Sequence, residues 1–131
     1  MSARYLDSSA FVKLVVQERE SAAVRAFLAE RGERRVSSAL LRTEALRAVR
    51  HLRPDALATV REALRRVDLV GIDDRILDAA GTLEPGVLRT LDAIHLATAM
   101  AVGDDLDTIL TYDERMVEAA RLMGLPTATP R

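Results

Sequence analysis

The chain has no cysteine and no tryptophan, and only 3% of its 131 residues are aromatic. The missing thiols exclude a disulfide framework, a thiolate zinc site, an iron–sulfur cluster and a cysteine nucleophile, so any metal must be held by oxygen ligands. The scarcity of rings disfavours a module that grips single-stranded nucleic acid by stacking bases. Long apolar runs are also missing. None approaches the roughly 20 residues of a membrane span, and the N-terminus shows no basic segment leading into an apolar stretch and a cleavage site. These absences predict an untargeted cytoplasmic protein without a membrane partner. Net charge is scarce too: 19 Lys and Arg stand against 20 Asp and Glu, for a net charge of -1. The field of the whole molecule therefore does not attract nucleic acid, and any such contact needs a local patch. Lys13 is the only lysine; the other cationic side chains are arginines, whose planar fork suits phosphate oxygens.

Hydrophobic residues make up 49% of the chain, enough for one compact core, and residues 1–131 are read as a single domain. Arg4 to Asp7 reads as a short strand that runs into a helix carrying Phe11, Val12, Leu14 and Val15. A second helix follows between Glu20 and Glu30, closed by Gly32. Arg35 to Ser38 is a weak strand. Ala39 to Leu52 is an amphipathic helix, and Pro54 begins another that runs to Val67 and forms a hairpin with it. Leu69 to Ile72 reads as a strand, Asp73 to Leu83 as a helix, and Glu84-Pro85-Gly86 as a turn. Thr90 to Val102 is helical and almost wholly apolar apart from Asp92 and His95, which predicts deep burial. Asp107 to Asp113 repeats the opening pattern, a strand whose end delivers an acid. A last helix runs to about Met123, and Leu125 to Ala128 adds an edge strand. Strands alternating with helices predict an α/β fold, a three-layer α/β/α sandwich around a mainly parallel sheet.

In such sheets functional groups gather beyond the carboxyl ends of the strands. Asp7 and Asp113 stand there, Asp92 lies in the first turn of the most apolar helix, and Glu44 lies in the helix after the second strand. Clustered carboxylates repel one another unless a cation neutralises them. Oxygen donors without cysteine or paired histidines point to Mg²⁺ or Mn²⁺, ions suited to phosphate chemistry. A plainer reading accompanies each acid. Asp7 and Asp113 are placed to cap helices, Asp92 to favour a helix N-terminus, and Glu44 to pair with Arg47 one turn on. His95, one turn beyond Asp92, is either a ligand or proton shuttle or a satisfied core residue. His51, with Arg47, Arg50 and Arg53, is either an RNA-phosphate surface or a solvated helix face.

Four segments together, Tyr5-Leu6-Asp7-Ser8-Ser9-Ala10, Glu44 after Ser37-Ser38, Leu91 to Ala99, and Thr111-Tyr112-Asp113-Glu114-Arg115-Met116, resemble the PIN-domain toxins of the VapC family over essentially the whole chain. The resemblance implies a toxin of a type II toxin–antitoxin system, an endoribonuclease that cleaves RNA phosphodiester bonds with activated water. It implies Asp7, Glu44, Asp92 and Asp113 as the catalytic acids around Mg²⁺ or Mn²⁺. Asp7, Asp92 and Asp113 are then expected as metal ligands, Asp7 and Asp92 the principal ones, with Asp113 and Glu44 completing the site directly or through water and Ser9 and Thr111 orienting the carboxylates. It also implies a homodimer, and a cognate antitoxin whose C-terminal segment covers the site in a hetero-oligomer.

Two other enzyme classes fit less well. An aspartate-nucleophile phosphatase normally has a second aspartate two residues after the first, where Ser9 stands. A phosphoacceptor receiver domain resembles families with a lysine late in the chain, whereas the lysine here is Lys13. The alternative from a different class is a catalytically silent PIN-like module that binds an antitoxin in a DNA-bound autoregulatory complex.

Overall fold

The computed structural model describes residues 2–30, 32 and 34–131. In chain order the elements are β1 (Ala3–Leu6), α1 (Ser8–Val15), α2 (Ser21–Ala29), β2 (Arg34–Ser38), α3 (Leu40–Leu52), α4 (Leu57–Leu64), β3 (Asp68–Val70), α5 (Asp74–Gly81), α6 (Thr90–Val102), β4 (Leu106–Leu110), α7 (Glu114–Leu122) and β5 (Thr127–Ala128). The strands form one sheet in the order β3-β2-β1-β4-β5, and every pairing among the described residues is parallel. The order runs outward one way from β1 through β2 and β3, and the other way through β4 and β5. The switch point therefore falls between β1 and β4.

Period-two alternation along the central strands feeds two cores. Leu6 and Leu110 pack with Phe11, Leu41, Val49, Val60 and Leu64 on the face covered by α1, α3 and α4. Their neighbours Tyr5 and Ile109 pack with Val36, Leu96, Met116 and Ala120 on the face covered by α6 and α7. Because adjacent residues of one strand enter opposite cores, both faces of the sheet are covered. The result is the three-layer α/β/α sandwich expected from the sequence. A third, smaller cluster of Ile76, Ile94 and Ala97 seats α5 against α6. Residues Ala93 to Ala99 of α6 are all buried, as an apolar helix requires. Gly103 ends α6 at φ 73°, its N–H donating to the Met100 carbonyl, a left-handed backbone that favours glycine.

Element boundaries differ from expectation in places with identifiable causes. Pro54 opens a short 3-10 turn (Pro54–Ala56), and α4 proper starts only at Leu57. Asp73 and Asp113 stand outside their helices as N-caps. Arg4, in the middle of a buried strand, is 3% exposed. Its guanidinium lies 4.1 Å over the Phe27 ring and donates to the Phe27 carbonyl, with Asp107 at 3.5 Å and Glu30 at 3.8 Å. Aromatic, carbonyl and carboxylate partners together offset its desolvation.

Candidate active site

Asp7 follows β1 at the switch point, where its N–H donates to the Leu110 carbonyl of β4 at 3.2 Å. The same residue caps α1, because Asp7 Oδ1 accepts from the Ala10 N–H at 3.0 Å. The carboxylate is 3% exposed, and hydroxyls fix both of its oxygens. Ser9 donates to Oδ1 at 2.7 Å and Thr111 to Oδ2 at 2.5 Å. Each hydroxyl spends its single proton on Asp7 and accepts a backbone N–H from the β4–α7 connection, Ser9 from Tyr112 at 2.9 Å and Thr111 from Asp113 at 3.1 Å. Burial raises the Asp7 pKa, opposed by the hydrogen bonds of Ser9, Thr111 and Ala10 and by nearby His95.

Asp113 likewise caps its helix, with Oδ1 accepting from the N–H groups of Arg115 and Met116 at 2.9 and 3.4 Å. Its other oxygen, Oδ2, accepts from Arg89 Nη2 at 2.8 Å, while Arg89 Nε donates to Asp92 Oδ2 at 2.9 Å. One guanidinium therefore joins two acids from separate elements. The acid side chains are 13% and 22% exposed for Asp92 and Asp113, against 60% for Arg89. Asp92, and then Asp113, hold the Arg89 pKa above its ordinary value. Glu44 faces across to α6, where its Oε1 lies 2.5 Å from His95 Nε2, and His95 Nδ1 lies 2.7 Å from the Tyr5 hydroxyl. Burial drives the Tyr5 pKa far above the ordinary value, so the phenol stays protonated and can donate to His95 Nδ1 or accept from it, according to the tautomer. With a proton on Nε2 the ring donates to Glu44, and contacts at both nitrogens fix its orientation.

All four acids line one cleft of about 610 Å³, together with Ser9, Lys13, Arg89 and Leu91. The cap readings of Asp7 and Asp113 are correct as structure and compatible with the site, since each cap uses one carboxylate oxygen. Glu44 finds its partner on another helix rather than in Arg47. His95 is a satisfied core residue, 1% exposed, that also orients Glu44. Arg47, Arg50, His51 and Arg53 are exposed; none lines the cleft, and Arg53 pairs with Asp55 at 3.4 Å. Sequence reasoning passed over Arg89. Its only local signal is the three-residue spacing to Asp92, which says nothing of its reach to Asp113.

The donors suit a hard divalent cation: carboxylates without sulfur, around a cleft that has already drawn a cationic side chain against two of them. As the side chains stand, no three acidic or histidine groups among the described residues are arranged around a common ion position. Arg89 lies where Asp92 and Asp113 face one another's charge.

Comparison with known proteins shows the family and the fold. The family model described as PIN domain matches residues 4–122. Ribonuclease VapC46 of Mycobacterium tuberculosis is 52% identical over 130 residues, 99% of each chain. Two solved structures share the fold. The sarcin-ricin loop cleaving toxin VapC20 of M. tuberculosis has TM-score 0.73 and 14% identity, covering 88% of this chain and 94% of its own. A toxin–antitoxin complex from Klebsiella pneumoniae has TM-score 0.70 and 21% identity over 98% of both chains. With the acids of all four motifs gathered in one cleft and the match running nearly end to end, the chain belongs to the PIN-domain family, among its VapC ribonucleases.

Proposed function

We propose that this protein is a divalent-metal-dependent endoribonuclease, the toxin of a type II toxin–antitoxin pair, whose catalytic acids are Asp7, Glu44, Asp92 and Asp113. The observation that carries this reading is the convergence of those four carboxylates, from four separate segments, in one cleft at the carboxyl ends of β1 and β4. Asp7, Asp92 and Asp113 would hold Mg²⁺ or Mn²⁺, with Glu44 completing the site directly or through water. When bound, the ion supplies Lewis-acid activation of water and neutralises phosphate charge.

The chain's own residues do the positioning. Ser9 and Thr111 hold the Asp7 carboxylate in one orientation, so little conformational entropy remains to be lost when RNA binds. His95 holds Glu44 at the cleft wall, where its carboxylate would take a proton from the attacking water. The water oxygen bonds to phosphorus, one backbone P–O bond breaks, and the leaving alkoxide takes up a proton. No histidine base is required.

As a toxin, the protein would be restrained by a cognate antitoxin, as the Klebsiella relative's complex illustrates. Leu91, 48% exposed at the cleft, and Val87, 89% exposed nearby in sequence, leave apolar surface for such a segment. The test is incubation of the purified chain with tRNA, rRNA and mRNA in Mn²⁺, with and without chelator. Cleavage that the chelator stops is expected. Intact RNA of every class would favour the silent module that acts only through an antitoxin.

A further inference from the structure

Arg89 belongs to none of the four acidic motifs, yet it makes two ion pairs inside the cleft. It stands in extended backbone (φ -65°, ψ 149°) at the last position before α6 and makes no side-chain cap bond. Its side chain is 60% exposed while the two carboxylates it joins are largely covered. Only the tip is held, so the guanidinium can leave without moving the core. The other cation lining the cleft among the described residues is Lys13, which is committed to Glu20 at 2.7 Å and Glu18 at 3.5 Å. Phosphate entering the cleft therefore finds one cationic side chain whose partners are themselves catalytic acids.

We propose that Arg89 is an exchangeable counter-ion: in the ion-free protein it neutralises Asp92 and Asp113, and when a divalent ion loads it turns outward to grip a phosphate of the RNA. This rests on the metal-dependent reading above. The guanidinium charge held against Asp92 Oδ2 and Asp113 Oδ2 repels a divalent cation drawn to the same two carboxylates, so the two cations compete for them. The displaced fork, carrying parallel N–H donors, is suited to the phosphate that must then approach the same acids. Competition keeps the empty site from standing as two unpaired, partly buried carboxylates.

The test is titration of Mn²⁺ into the ion-free full chain without RNA, followed by the paramagnetic resonance signal of the free ion. Wild type, Arg89→Gln, Arg89→Lys and Asp92→Asn are compared. Losing two partly exposed ion pairs should tighten Mn²⁺ binding in Arg89→Gln by about tenfold, with Arg89→Lys between it and wild type. At saturating Mn²⁺, where competition no longer matters, Arg89→Gln should raise the KM for RNA by about tenfold, and Arg89→Lys by less. Unchanged or weaker Mn²⁺ binding in Arg89→Gln, with wild type binding and Asp92→Asn not, overturns the exchange while leaving the metal site intact. An unchanged KM overturns the phosphate role. If wild type fails to bind Mn²⁺, or Asp92→Asn binds it equally well, the metal reading fails and the exchange falls with it.

Discussion

Thr111 donates its hydroxyl proton to Asp7 Oδ2 at 2.5 Å across 104 positions of sequence, joining the end of β4 to the end of β1. Ser9 makes the matching bond to Oδ1. A buried carboxylate is thereby held with both oxygens engaged and, among the described residues, no cationic side chain bonded to it, which is costly unless something else supplies positive charge.

That cost makes stability depend on pH in the ion-free protein. The folded-state pKa of Asp7 lies above its ordinary value of 3.8, chiefly through desolvation, so the native state binds more protons there than the unfolded chain. Asp7's contribution is therefore full below the ordinary carboxylate pKa and is lost as pH rises through the raised value, at about 1.4 kcal/mol per pH unit between the two. In chelator, Asp7→Asn should gain stability over wild type as pH climbs from 4 toward 7, measured by urea denaturation at each pH. A constant difference across that range would contradict the raised pKa.

The Tyr5–His95–Glu44 chain yields a separate expectation. Tyr5→Phe keeps the ring in its core and removes only the hydroxyl that engages His95 Nδ1. One buried ring nitrogen loses its partner, a destabilisation of about 1–3 kcal/mol. Glu44 also loses the fixed imidazole that orients it, so kcat should fall several-fold with KM nearly unchanged. A rise in KM at constant kcat would show that the chain serves RNA binding instead.

Packing beneath the acids is testable on its own. Leu96, four residues beyond Asp92 on α6, is fully buried in the core on that face of the sheet. Leu96→Ala should cost about 2–5 kcal/mol, read from the denaturation midpoint. A loss below about 1 kcal/mol would mean that the α6 face is packed more loosely than the structure shows.

Local chemistry was the legible part of this molecule. Asp7 and Asp113 could be placed at strand ends because a short apolar run followed by a polar cap fixes both the strand's exit and the helix's entry. Asp92 could be singled out because an acid in so apolar a helix needs a reason. Long-range partners were not legible. Nothing near Glu44 announces His95, 51 positions away on another helix, and the Glu44–Arg47 spacing suggested a different pair. Arg89 is visible as a neighbour of Asp92 but not as a bridge to Asp113, 24 positions on. Arg4 reads as an interruption in a strand until α2 delivers Phe27 against it. Such pairs are settled by how helices dock on the sheet, a tertiary outcome with no local periodicity to reveal it.

The central claim is that the carboxylates of this cleft perform metal-dependent RNA cleavage, and Asp92 tests it most directly. Asp92 is no core residue and its side chain bonds only to Arg89 among the described contacts, so Asp92→Asn should fold normally by circular dichroism. The decisive measurement is the single-turnover cleavage rate of one RNA substrate by wild type and Asp92→Asn in saturating Mn²⁺. The account expects a loss of at least about 100-fold, the scale of removing a group that acts on the reacting centre. A folded Asp92→Asn protein that cuts at the wild-type rate would contradict it.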